Sequence, residues 1–109
     1  MIETVLVYGL SRERRRQVQR VLVAGGFRVL LATSMAEGAK CLAQTGVDLI
    51  VVSDSDAAAV DEVGALRAAD LTRAQPDRTG EGNPVRLLRL ADAIDSNDVL
   101  APVRAALAG

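Results

Sequence analysis

Val47-Asp48-Leu49-Ile50-Val51-Val52-Ser53-Asp54-Ser55-Asp56 is the stretch on which the reading turns. Its first six residues are apolar except for Asp48, and they are rich in β-branched side chains. Four polar residues then follow without a break. A short apolar run of this kind, with no polar alternation, marks a strand covered on both faces, which places it in the middle of a parallel sheet. Parallel neighbours cannot be joined by a tight turn, so the flanking sequence has to supply crossover helices.

It does so on both sides. Towards the N-terminus, Ser34-Met35-Ala36-Glu37 spells a capping box for a helix through Ala43, closed by Gly46. Phe27–Leu31 reads as a strand before it. Ser11 caps an earlier helix running to about Ala24, where Gly25-Gly26 supplies the positive φ that a helix end needs. In that helix Val18, Val21 and Leu22 share one face, with Arg12, Arg16 and Arg20 on the other. Ile2–Tyr8 is an apolar strand bounded by Gly9. Towards the C-terminus, Val60–Ala69 has a helical stripe of Val60, Val63 and Leu66. Leu71–Pro84 holds two prolines and two glycines and reads as a long solvated loop. Val85–Leu90 is the next strand. Asp95-Ser96-Asn97 caps a last helix that buries Val99, Leu100, Val103 and Leu107, with Pro102 near its start. The order β-α-β-α-β-α-loop-β-α predicts an α/β three-layer sandwich on a parallel sheet, a single domain over 1–109 without internal repeats.

Composition narrows the chemistry. The chain of 109 residues contains no histidine, which excludes histidine acid–base catalysis, histidine triads, histidine phosphotransfer and histidine-ligated zinc. Its one cysteine, Cys41, excludes an internal disulfide and any CxxC site, and its place beside Leu42 predicts a packed thiol. Only Tyr8 and Phe27 are aromatic, so the core must be aliphatic. The net charge of −1 offers no global field for nucleic acid or an anionic membrane. No apolar run approaches a membrane span, and the N-terminus lacks a basic, apolar leader, so a cytoplasmic protein is expected. Of the 13 basic residues 12 are arginine, and Arg12, Arg14, Arg15, Arg16 and Arg20 crowd one predicted helix. That cluster is either a solvated face or a docking surface for an acidic partner.

In open α/β sheets, chemistry gathers at the carboxyl ends of the strands. Here those ends carry Tyr8-Gly9-Leu10-Ser11, Ser53-Asp54-Ser55-Asp56 and Ala91-Asp92-Ala93. This arrangement resembles the receiver domain of two-component response regulators, the CheY-like fold. Thr4–Tyr8 resembles its first strand, Gly25-Gly26-Phe27-Arg28-Val29 its turn into the second, and Ala32–Ala39 the opening of its second helix. Val47–Ser53 resembles the phosphoacceptor strand, and Asp95–Leu107 the last amphipathic helix. The resemblance spans residues 4–70 and 86–108.

The resemblance also defines what is missing. Where a receiver carries the acidic pair that holds Mg²⁺, this chain has Tyr8 and Gly9. The phosphoacceptor position falls on Ser53, the lysine before the last helix on Asp92, and the proline after that lysine on Ala93. An aspartate there repels a phosphoryl group, and aspartyl phosphorylation without a metal leaves its developing charge uncompensated. Only four of the usual five βα units are legible, the fourth being shortened or missing at the 71–84 loop. That leaves a sheet edge for a partner, or a second copy, to cover.

The expectation is therefore a receiver-like interaction or dimerisation module of bacterial signalling, not an enzyme and without cofactor or metal. Tyr8, Gly9, Ser53, Asp54 and Asp92 form its degenerate phosphorylation pocket, and Arg12, Arg15 and Arg16 meet a protein partner or a second copy. Two alternatives stand beside it. A one-residue slip of the strand would put Asp54 at the phosphoacceptor place, with Asp56 as helper, although both aspartates also suit helix capping. Gly9-Leu10-Ser11-Arg12 could serve a small Rossmann-like nucleotide binder, although the GxGxxG glycines are absent. Tyr8 itself could be core, but with Gly9 beside it leaving room it is read as a plug for the emptied pocket.

Overall fold

The computed structural model describes residues 2–73, 85–91 and 95–108. The strands are β1 (Thr4–Tyr8), β2 (Arg28–Ala32), β3 (Leu49–Ser53) and β4 (Arg86–Leu90). The helices are α1 (Arg12–Ala24), α2 (Met35–Gln44), α3 (Ala57–Arg73) and α4 (Leu100–Ala108). The strands pair in the order β2-β1-β3-β4, all parallel.

The two central strands explain the unbroken apolar runs. Leu6 and Tyr8 of β1, with Ile50 and Val52 of β3, face α2 and α3. Val5 and Val7, with Leu49 and Val51, face α1 and α4. Alternate side chains enter opposite layers, so every position must be apolar. At the amino end, Asp48 ties three strands together. Its Oδ2 accepts from the Thr4 amide at 2.8 Å, its own amide donates to Thr4 O, and its carbonyl accepts from the Arg86 amide.

Local signals account for the helix ends. Ser11 Oγ accepts from the Arg14 amide at the start of α1. At its far end only Gly26 takes the left-handed conformation, φ 94°. At Gly25 a Cβ would lie 2.5 Å from Leu100 Cδ2, so that leucine side chain would have to shift. At α2, Ser34 Oγ accepts from the Glu37 amide, while Glu37 Oε1 accepts from the Thr33 amide and hydroxyl. A 3-10 turn at Ser96–Asp98, capped by Asp95, leads into α4, where Pro102 lies in the first turn.

Some expectations need correction. Ile2 lies outside β1 and is exposed. The helix predicted over Val60–Ala69 runs from Ala57 to Arg73, so the segment predicted as loop from Leu71 onward begins as helix. Three alanines before Val60 and the cap at Asp56 extend α3 forward. The rest of that loop, 74–84, lies outside the described residues. Cys41 is half-buried against the α2–α3 layer.

Candidate functional site

The carboxyl ends of β1, β3 and β4 form a crest between α1 and α3. Gly9 follows β1 with φ 74°, and its amide donates to Ala32 O at 3.0 Å. A Cβ at this position would meet Ala59 at 3.4 Å, so a glycine is required by conformation more than by space.

Tyr8 does not close the crest. Its ring is 1% exposed and belongs to the layer beneath α2 and α3, where Gly38 leaves room for it. The phenol donates to Glu62 Oε1 at 2.8 Å. Burial first, and then the hydrogen bond to and charge of Glu62, push the phenol up to about 12. The plug expected from the sequence is thus corrected: Tyr8 is a core residue. Glu62, its partner, went unnoticed in the sequence, although a buried tyrosine needs a partner for its hydroxyl.

Ser53 ends β3 opposite Leu90, and its Oγ lies 3.1 Å from Ser55 Oγ. The Asp54 amide donates to Leu90 O, and its Oδ1 lies 3.0 Å from Arg89 Nε. Both side chains of this ion pair are about half exposed, at 53% and 56%, so its contribution to stability is small, on the order of 0–1 kcal/mol. Its effect is to place a guanidinium beside the acid that follows Ser53. Asp56 Oδ1 accepts from the Ala59 amide at 3.1 Å and caps α3. Asp92 lies outside the described residues. Among those described, no group of three or more acids or cysteines is arranged to hold a metal ion. Mg²⁺ does not suit this donor set, because Gly9 offers no side chain, Tyr8 is turned inward, and Asp54 and Asp56 are both engaged.

The arginine cluster on α1 divides in two. Arg14 Nη2 donates to Ala91 O at 2.9 Å and Arg15 Nη1 to Leu10 O at 3.0 Å, and both side chains are half-buried. Arg12, Arg16 and Arg20 are exposed. Arg15, expected to meet a partner, also holds the loop after β1. Arg89 was missed altogether, although an arginine between Leu88 and Leu90 at a strand's carboxyl end is a visible exception to the apolar pattern.

No family model matches this sequence, and no curated protein does. Solved structures do. A response regulator from Thermotoga maritima superposes with a TM-score of 0.72 at 17% identity, over 100% of both chains. A chemotaxis response regulator of Vibrio cholerae gives 0.68 at 17% identity, over 98% of this chain and 100% of that one. The signal receiver domain of an HD domain-containing protein from Pseudomonas fluorescens gives 0.67 at 18% identity, over 99% and 96%. The fold is therefore that of the response-regulator receiver domain. At these identities the likeness establishes the fold, and function has to be argued from the crest.

Proposed function

We propose that this chain is a receiver-like interaction module in bacterial signalling that does not take up a phosphoryl group. The ion pair between Asp54 and Arg89 carries the reading. The carboxylate closest to the phosphoacceptor position already has a protein cation at 3.0 Å, with neither neighbouring acid on β1 to bring a metal. Gly9, Ser53 and Asp54 then line a crest without phosphotransfer chemistry, with Tyr8 turned away into the core, and the domain requires no cofactor or metal. No helix among the described residues is long and apolar enough to cross a membrane, which suits a cytoplasmic role. The partner is a protein, met through α1 at Arg12 and Arg16, or a second copy. No nucleic acid or membrane is needed. A second copy would cover β4, whose outer edge pairs with no strand among the described residues and whose Leu87 and Leu88 are half-buried.

Incubation with acetyl phosphate and Mg²⁺, followed by intact mass, tests the central point. An unmodified chain is expected, with no beryllofluoride-induced shifts in its NMR spectrum. A phosphoryl adduct lost in Asp54→Ala would establish an atypical phosphorylatable receiver. Thermal shift with nucleotides tests the nucleotide-binding alternative, which the bonded Gly9 amide disfavours. Sedimentation across a concentration series reads the homodimer directly, and a monomer throughout removes it.

A further inference from the structure

We propose that a second copy of this chain docks at the outer edge of β2, with Arg28 of each copy reaching Glu37 of the other. This rests on the second-copy branch of the reading above. That branch has two sheet edges to choose from, and backbone, charge and apolar exposure all favour β2 over β4.

The backbone sets the register. The Arg28 amide donates to Glu3 O, and Ala32 O accepts from the Gly9 amide, so both residues turn their backbone groups towards β1. By strand alternation Val29 and Leu31 turn theirs outward, where no strand pairs with them among the described residues. The open row ends there, because the Phe27 amide donates to Leu22 O and the Thr33 amide to Glu37 Oε1. A two-fold axis at Leu30 pairs Val29 of each copy with Leu31 of the other in an antiparallel ladder, and Leu30 with its own copy. Arg28 then lies opposite Ala32. No proline or glycine interrupts Arg28–Ala32 to prevent such pairing.

That register matches charge. Thr33 belongs to the outward set, so the Glu37 carboxylate bonded to its amide stands on the outer side of β2, at its carboxyl end. Arg28 is exposed at the amino end, one residue from that carboxylate across the axis. Arg28 also shares its side of the sheet with Leu30, which packs in the α2–α3 layer from which Glu37 comes. Apolar exposure gathers on the same edge. Ile2, Val23 and Met35 are the exposed large apolar residues among those described. Ile2 and Val23 line an open groove of about 440 Å³ with Phe27 and Arg28 at one end of β2, and Met35 opens α2 beyond the other. Antiparallel pairing brings these two ends together. The opposing cost is the basic face of α1, which packs on β2 and is brought towards its own copy, so the contact is a weak one.

β4 offers less. The Arg86 amide and Leu90 O are bonded towards β3, which leaves Leu87 and Arg89 as its outward positions. Arg89 already pairs with Asp54 of its own chain, and none of the three exposed apolar residues belongs to β4 or to α3 and α4 beside it.

The test is sedimentation from micromolar to millimolar concentration, with folds checked by circular dichroism. The native chain is expected to dimerise. Arg28→Glu and Glu37→Arg should each weaken the dimer about fivefold or more, and Arg28→Glu/Glu37→Arg should restore it. Restoration excludes damage to the α2 cap as the cause, since the double variant carries that damage too. Arg89→Glu, a charge reversal on β4, should leave the dimer unchanged. Leu30→Cys in a Cys41→Ser chain should form a disulfide-linked dimer on mild oxidation, because a non-hydrogen-bonded pair brings the two Cα atoms to about 4.5 Å. A monomer at every concentration overturns the proposal, as does a double variant that stays weak, an equal loss in Arg89→Glu, or no cross-link at Leu30→Cys. The phosphorylation assay is independent of these outcomes. A monomer that takes no phosphoryl group loses the β2 contact and keeps the interaction-module reading with a different protein as partner. A dimer that does take one keeps the contact and loses that reading.

Discussion

Tyr8 concentrates most of the single-residue consequences. Its ring fills the space beneath Gly38 while its hydroxyl reaches Glu62, joining β1 to α3. Tyr8→Phe keeps the ring and removes the hydrogen bond, so it should cost about 1 kcal/mol by urea denaturation at neutral pH. The pH dependence has a definite sign. The folded phenol titrates at about 12 and the free one near 10, so the unfolded chain loses its proton first. The Tyr8 contribution is complete below about pH 10 and is lost as pH rises towards 12. Melting curves across that interval should fall for the native chain and fall less for Tyr8→Phe. Gly9→Ala should cost about 1–2 kcal/mol in the same assay, because φ 74° disfavours any side chain. The need for a small residue at Gly9 was legible in the sequence as a strand boundary. The inward turn of Tyr8 was not, because a strand covered on both faces gives no sequence clue to which layer a given side chain enters.

Among the elements, α3 separates the two crest aspartates. Asp56 caps it, and Asp56→Ala should cost about 1 kcal/mol. Asp54 holds only an exposed ion pair, and Asp54→Ala should cost less than that. Equal losses in the two variants would contradict the division of roles drawn from the geometry. At α2, hydrogen bonds from the Thr33 hydroxyl and amide hold the Glu37 carboxyl below its usual range. A lowered carboxyl stabilises the fold above its unfolded value, and that contribution disappears as pH falls through the folded one. Urea midpoints taken as pH drops below about 4.5 should therefore fall more steeply for the native chain than for Glu37→Gln. The capping signals at Ser11, Ser34 and Asp95 were all readable in the sequence, since each acts on an amide two or three residues away. The length of α3 was not, because its end depends on what the helix packs against.

Over the whole molecule, one sheet feeds two core layers, so damage to β3 reaches both. Ile50 is fully buried, and Ile50→Ala should cost about 2–5 kcal/mol, a large share of the total stability of about 5–15 kcal/mol expected for a small domain. Chemical denaturation that leaves the variant largely folded with native stability would contradict a shared central strand. The same architecture leaves β2 and β4 at the edges and α1 as the most strongly basic helix.

The sequence by itself determined the element order, the parallel sheet and the central place of Val47–Val52. Those follow from periodicity and from bonds that close within a few residues. It also determined that Gly9 follows the first strand and Ser53 ends the third, with no acid at either position. Tertiary structure alone decided that Arg89 meets Asp54, that Tyr8 meets Glu62, and that Arg14 and Arg15 are anchored to Ala91 and Leu10. Each of the first two pairs joins residues from different elements, brought within 3.0 Å only when the strands align and the helices settle on them. Arg14 and Arg15 are anchored for the same reason, because the carbonyls they reach lie at the ends of β1 and β4, outside the helix.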